Sequence, residues 1–277
     1  MPSAFTRDSL EFELHHLSSA PRIIPKLAVL VNDPNMDPDD VIEVIRHDPA
    51  LTTRLIAACK SAAIHHGTDV TNVSEAVGCL GFAQVYRIAV VVAFRSGFCS
   101  RFQVYEESAD ATWQRAVATA CFMEEFALED NGDLGMAYTI GLLHMIGMFL
   151  LDWHCAQIPG ARIPVRNLAR QLEMERKLSA FTHMEATALA LDFWGFPKEI
   201  YEPIRWYDRP KDAGAFETNA SHLQLAVCLS HELGAPAIKS VFGVKNRPHL
   251  SPGGQQLDSI IPKVQRKLQA AIDFLRL

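Results

Sequence analysis

The sequence predicts an all-α protein, a multi-helix bundle with no significant sheet. Three observations carry this expectation. Apolar residues recur along most of the chain at the spacing that places them on one helical face. Capping residues stand ahead of several of these runs, twice with proline directly after them. No stretch shows a convincing alternation of apolar and polar residues, and no internal repeat emerges.

Leu10, Leu14 and Leu17 sit at helical spacing, and Pro21 and Pro25 then interrupt the chain before a short apolar segment over 26–31. Asp37 before Pro38 and Asp48 before Pro49 each match an N-cap with proline at the first helical position, predicting helices over 38–47 and 49–63. Residues 64–72 are polar, contain Gly67 and read as a loop. Ser74 is placed to cap a short helix that Gly81 ends in a left-handed turn. Residues 82–98 are apolar nearly all round, as in a helix at the middle of a bundle.

Helices are then expected over 110–128 and 136–154, separated by the turn EDNGDLG. The proline-broken CAQIPGARIPVR leads into a helical stretch over 167–193, interrupted near Ser179. WGFP, residues 194–197, is a sharp turn before helices at 198–206 and 217–233. Pro248, Pro252, Gly253 and Gly254 mark 235–255 as loop, and Val264, Leu268, Ile272 and Leu275 form the stripe of a final helix that packs on the body.

Composition narrows the function classes. Of 277 residues, 49% are hydrophobic and 21% charged, enough to bury a sizeable core. A net charge of −6 excludes a general electrostatic grip on nucleic acid or anionic lipid, both of which need a concentrated basic face. The six cysteines, Cys59, Cys79, Cys99, Cys121, Cys155 and Cys228, stand far apart without a CxxC pair and read as buried reduced thiols. MPSAFTRDSLEFELHH lacks the apolar run of a signal peptide, and the longest apolar run, 88–94, is far short of a membrane span. A soluble, cytoplasmic protein is expected.

HExxH, GxSxG, a Walker loop and GxGxxG are all absent. His15, His16, His65, His66 and His249 lie in polar surroundings and read as solvated, as do the basic clusters Arg162, Arg166, Arg170 and Lys263, Arg266, Lys267. His144, within GLLHMIGM, and His183, within THMEATALALDFWGFPKEI, differ because each falls among apolar residues of a helix. An imidazole there must find a partner or lose solvation without return. Taken singly, each reads as a core histidine with a satisfied partner.

Taken together, the segments resemble the HDOD domains, helical modules of bacterial signalling proteins related to the HD phosphohydrolases. The resemblance runs from about Pro21 to Leu233. It is carried by PRIIPKLAVLVNDPNMDPDDVIEVIRHDPALTTRLIAACKSA, VSEAVGCLGFAQVYRIAV, GLLHMIGM and the histidine-bearing stretch through WGFP, in that order and spacing. It implies an HD-like bundle in two lobes: an N-terminal helix over 1–21, a helical lobe over 22–97, an HD-like lobe over 98–235, and a loop and C-terminal helix over 236–277.

HD enzymes hold their metal with a histidine, a His-Asp pair and a later aspartate. By the resemblance, His144 matches the histidine of the pair and Met145 occupies the aspartate position. The earlier histidine falls near Arg115 and the final aspartate near Ser230 or His231. A thioether carries no charge and suits soft metals, whereas a hard cation needs anionic oxygen. The expectation is therefore a non-catalytic signalling or regulatory module with no metal and no cofactor.

Its expected partners are signalling proteins, with a nucleotide or phosphate-bearing small ligand as a further option in a vestigial pocket of Arg115, His144, Met145, His183, Asp208 and His231. No nucleic acid or membrane partner is expected, and the oligomeric state is unreadable. The alternative is a divergent phosphohydrolase recruiting His183, Glu185 or Asp208 around His144. A third reading has Arg115, His144 and His183 holding a phosphate without catalysis.

Overall fold

The structure, a computed structural model, describes residues 26–27, 30, 37–46, 51–53, 55–56, 59, 72–82, 84–89, 102–165, 167–233 and 254–276. The predicted N-terminal helix, residues 64–71 of the loop expected over 64–72, residues 235–253 of the loop expected over 235–255, and Cys99 lie outside these residues, while Asn72 caps a helix and Gly254 and Gln255 are helical rather than loop. Among the described residues there are helices and no strand or sheet, so the all-α expectation holds. They fall into two compact units, one within 18–97 together with 269–276 and one within 98–268.

In the first unit, α1 (Pro38–Arg46) packs against α2 (Val73–Leu80). The Oδ1 of Asp37 accepts from the Asp39 N–H at 3.0 Å, the capping role its place before Pro38 predicts. Val41, Ile42 and Ile45 form the buried face of α1 and Val73, Ala76 and Val77 that of α2. The cap of α2 is Asn72 rather than Ser74. Its extended backbone and its Oδ1, 2.9 Å from the Glu75 N–H, start the helix two residues early and leave Ser74 inside the first turn. Gly81 closes the helix at φ 73, a region an L side chain resists.

In the second unit, α3 (Ala109–Glu129) is capped by Ser108 and packs on α4 (Leu134–Leu143) and α9 (Glu217–Glu232). α5 (Ile146–Cys155) lies against α6 (Leu168–Ser179) and α7 (His183–Phe193), and α7 continues through a turn at Gly195 into α8 (Lys198–Trp206). A 3₁₀ segment, Pro210–Phe216, leads from α8 into α9. The core between them holds Phe122, Met123, Ile140, Leu142 and Met148, fully buried and each contributing about 1.5–3 kcal/mol. The 22 residues Leu134–Cys155 are apolar and long enough to cross a membrane by composition, which the sequence reading did not anticipate. That stretch is 83% buried inside the fold, as a core segment is.

One helix expected over 136–154 is two. The break falls at His144 and Met145, where Met145 leaves helical geometry at φ −96, ψ 2. Thr187 of α7 supplies what the interrupted ladder lacks: its hydroxyl accepts from the Gly147 N–H at 2.8 Å. The same oxygen lies 3.1 Å from the His144 carbonyl and 2.7 Å from the His183 carbonyl, one of which takes its proton. Two glycines permit the approach. A Cβ on Gly147 would stand 1.9 Å from the His183 carbonyl oxygen, and one on Gly141 would stand 2.5 Å from the Ala120 Cα.

The stretch expected over 167–193 is interrupted where the sequence placed the break. Ala180, at φ 65, ends α6, and Thr182 opens α7 in a capping box with Glu185. The C-terminal helix α10 (Gly254–Arg276) buries Ile260 and Val264 and sets Lys263 and Lys267 over two buried carboxylates of α3. The Nζ of Lys267 lies 2.6 Å from Glu124 and 2.5 Å from Glu125, and that of Lys263 is 3.3 Å from Glu125. Burial alone would raise the Glu125 carboxyl, but hydrogen bonds from Lys267 and Lys263 outweigh it and hold the group below its ordinary value. The lysines expected to be solvated therefore work as counter-ions.

Cys59, Cys121, Cys155 and Cys228 are buried free thiols, as expected, but Cys79 is exposed.

Candidate functional site

His144 has no solvent exposure. Its Nδ1–H donates to the Gly141 carbonyl at 2.6 Å, which leaves Nε2 as a lone pair, and that atom has no hydrogen-bond partner. Burial pushes the imidazole down to about 3, opposed by the Gly141 bond and assisted by smaller electrostatic contributions from the neighbouring His183, Arg115 and His231 side chains. His231 is likewise pushed down to about 3, first by burial and then by Arg115. The aromatic ring of Tyr207 meets that of His144 edge-on with centroids 6.1 Å apart.

The fold thus brings α3 (Arg115), the α4–α5 break (His144, Met145), α7 (His183) and α9 (His231) within electrostatic reach of one another. Asp208 also lies within electrostatic reach of His183. Its Oδ1 is buried without a partner while Oδ2 lies 3.3 Å from Arg209, and burial dominates, raising its carboxyl above the ordinary value. Arg115 is held by Glu107 in a two-pronged ion pair. Its guanidinium charge is thereby neutralised locally rather than left to face His144 unpaired.

His183 is committed too. Its Nδ1 lies 2.9 Å from both oxygens of Glu175 and its Nε2 2.8 Å from the Tyr207 hydroxyl. With the carboxylate fixing the proton on Nδ1, the Tyr207 O–H donates to Nε2. Glu175 has no exposure and accepts additionally from the Tyr105 hydroxyl at 2.8 Å, the Gln171 side-chain amide at 2.9 Å and the His183 N–H at 2.8 Å. Burial first, then Glu175, drives both Tyr105 and Tyr207 well above ordinary phenol values, which keeps them as O–H donors. Asp152 completes this region, its carboxylate accepting from the N–H groups of Gln103, Val104 and Tyr105 at 2.7–3.2 Å.

Sequence reading missed Glu175, Tyr105, Tyr207 and Asp152. Gln171 and Glu175 four residues apart, with His183 eight further on, are the one signal that could have pointed to this network. Glu185, weighed as a recruited ligand, instead caps α7 through the Thr182 N–H at 2.8 Å and pairs with Arg176 at 2.9 Å.

Nor does the ligand set assemble around His144. Among the described residues, no group of three or more His, Cys, Asp and Glu side chains could hold a metal ion. One imidazole nitrogen beside a thioether does not fit a hard divalent cation. A cavity of about 590 Å³ lies elsewhere, against residues 102–110 and Arg162, and none of Arg115, His144, Met145, His183, Asp208 and His231 lines it.

The two depressed imidazoles have a measurable consequence. Their folded values lie below the ordinary 6.5, so on acidification the unfolded chain binds protons that the native state refuses. Stability is full above about pH 6.5 and falls toward pH 3, by about 1.4 kcal/mol per pH unit for each group. Urea midpoints measured between pH 7 and pH 4.5 are expected to show this decline. His231→Gln is expected to remove about one proton from the slope, and an unchanged slope would refute the assignment.

Comparison with known proteins points one way. The HDOD domain family model matches residues 17–210. No curated protein matches the chain. Among solved structures, a candidate signal transduction protein from Marinobacter aquaeolei matches with a TM-score of 0.73 at 21% identity, covering 98% of this chain and 61% of its own. An HDOD domain protein of unknown function from Geobacter sulfurreducens gives 0.65 at 19% identity, covering 95% and 97%. A candidate phosphohydrolase from Shewanella amazonensis gives 0.63 at 21%, covering 94% and 93%. At these identities the likeness is one of fold.

Proposed function

Because the chain belongs to the HDOD domain family, we propose that it is a non-catalytic bacterial signalling module that regulates through protein–protein contacts in the cytoplasm. Its buried histidine centre is a degenerate HD metal site kept for structure. The observation that carries this reading is Met145, fully inside the fold where the related enzymes place a carboxylate, with Arg115, His183 and His231 rather than acids around His144. A divalent ion held by His144 and Met145 would meet one imidazole nitrogen and one thioether, neither of which supplies the anionic oxygen that offsets lost hydration. The phosphate-holding reading is weaker, because Arg115 is already taken by Glu107 and both ring nitrogens of His183 are occupied.

One observation favours the enzyme. The Nε2 of His144 is buried and bare while Nδ1 is steadied by a carbonyl, the posture of a metal-ligating imidazole. Elemental analysis decides between the readings. Protein purified from its native cell is expected to carry far less than one transition-metal ion per chain and to leave phosphomonoesters and cyclic dinucleotides intact. His144→Ala is expected to cost about 2–4 kcal/mol of stability with no catalytic readout to lose. Stoichiometric iron, manganese, zinc or nickel, abolished by that substitution together with phosphohydrolase turnover, would overturn the proposal.

A further inference from the structure

Two thiols that stand 20 positions apart in the sequence meet in the unit within 18–97. Cys59 is fully buried and its Sγ–H donates to the Ala76 carbonyl at 3.6 Å. Ala76 and Cys79 are one turn apart on α2, so the Cys59 sulfur lies along the flank that carries Cys79. Cys79 is also close enough to act electrostatically on the Cys59 thiol. Both are free thiols, and Cys79 alone of the described cysteines is exposed. One accessible sulfur backed by one sheltered sulfur is the arrangement that a reversible oxidation requires.

We propose that Cys59 and Cys79 form a redox pair, in which a hydroperoxide oxidises exposed Cys79 and buried Cys59 resolves the product into an intramolecular disulfide. In the first step the Cys79 thiolate attacks a peroxide oxygen and the O–O bond breaks. Cys79 becomes a sulfenic acid, and the departing alkoxide or hydroxide takes up the proton that the thiol released. In the second step the Cys59 sulfur attacks the Cys79 sulfur and the S–O bond breaks. The leaving hydroxide accepts the Cys59 proton and departs as water. Two thiols are oxidised, and one hydroperoxide is reduced to an alcohol or water plus one further water.

The order of events follows from the surroundings. Burial, then the adjacent Cys79, pushes the Cys59 thiol up to about 11, so it stays protonated at neutral pH and does not attack first. Cys79 sits in the last turn of α2 and faces solvent, so oxidant reaches it first. The bridge would tie α2 to the helical segment that bears Cys59 and restrict the unfolded chain between them.

Full-length protein exposed to hydrogen peroxide, then unfolded, alkylated and mapped by mass spectrometry, tests this. The expected result is a linked Cys59–Cys79 peptide, an intact mass lower by about 2 Da, and a Tm raised by about 5 °C or more that dithiothreitol reverses. Cys59→Ser is expected to halt Cys79 at a sulfenic acid that dimedone captures, and Cys79→Ser to leave Cys59 alkylatable. Circular dichroism confirms that each variant is folded, and the wild-type map stands without them. A wild-type Cys79 that ends as sulfinic acid, bridges two chains, or stays reduced while Cys59 remains alkylatable would overturn the proposal.

Discussion

Glu175→Ala is expected to destabilise the protein by about 3–5 kcal/mol, the range for removing one side of a buried charged network. The carboxylate sits at the meeting point of four donors: the Tyr105 hydroxyl, the Gln171 amide, and the backbone and ring N–H of His183. All four are buried, so none recovers a water molecule when the acceptor goes. Glu175→Gln retains one oxygen but turns an NH₂ toward donors, and a smaller loss of about 1–3 kcal/mol is expected. Urea unfolding followed by tryptophan fluorescence measures both. A loss below about 1 kcal/mol for the alanine variant would show that the network carries little of the fold's stability.

Gly147→Ala is expected to cost about 3 kcal/mol or more, the upper end for overpacking. The added methyl carbon would fall 1.9 Å from the His183 carbonyl oxygen, and the atoms it would meet are all backbone. Relief requires α5 and α7 to separate, which also pulls the Gly147 N–H from the Thr187 hydroxyl. Gly78→Ala is the internal control. A Cβ added there would meet nothing within 4 Å, and the residue sits within α2, so a gain of up to about 1 kcal/mol is expected from helix propensity. Thermal unfolding of the pair should therefore move in opposite directions.

Much of the helical plan was legible because caps, prolines and apolar stripes are local signals. Asp37 before Pro38, the break near Ser179 and the turn at Gly195 all stand where the residues place them. The split at His144 and Met145 was not legible, since the hydroxyl that makes it tolerable comes from Thr187, 43 residues from His144. Tyr105 and Glu175, 70 residues apart, were invisible for the same reason. Arg115, His144, His183 and His231 lie within electrostatic reach of one another, yet sequence could not show that Arg115 and His183 arrive with partners already engaged. Spacing likewise hid the meeting of Cys59 with Cys79, because distance along the chain says little about distance across a helix pair.

Lys263 and Lys267 lie across Glu124 and Glu125, half in water on the cationic side and almost sealed on the anionic side. Such an asymmetric clasp responds unequally to ionic strength, since dissolved ions reach the ammonium groups far more readily than the carboxylates. Concentrated salt would loosen the hold of α10 while leaving the desolvation of the two acids in place. A chain shortened ahead of residue 254 would set two adjacent negative charges against an apolar seat with nothing to balance them. Truncation at this end therefore belongs with core substitutions rather than with the trimming of a tail.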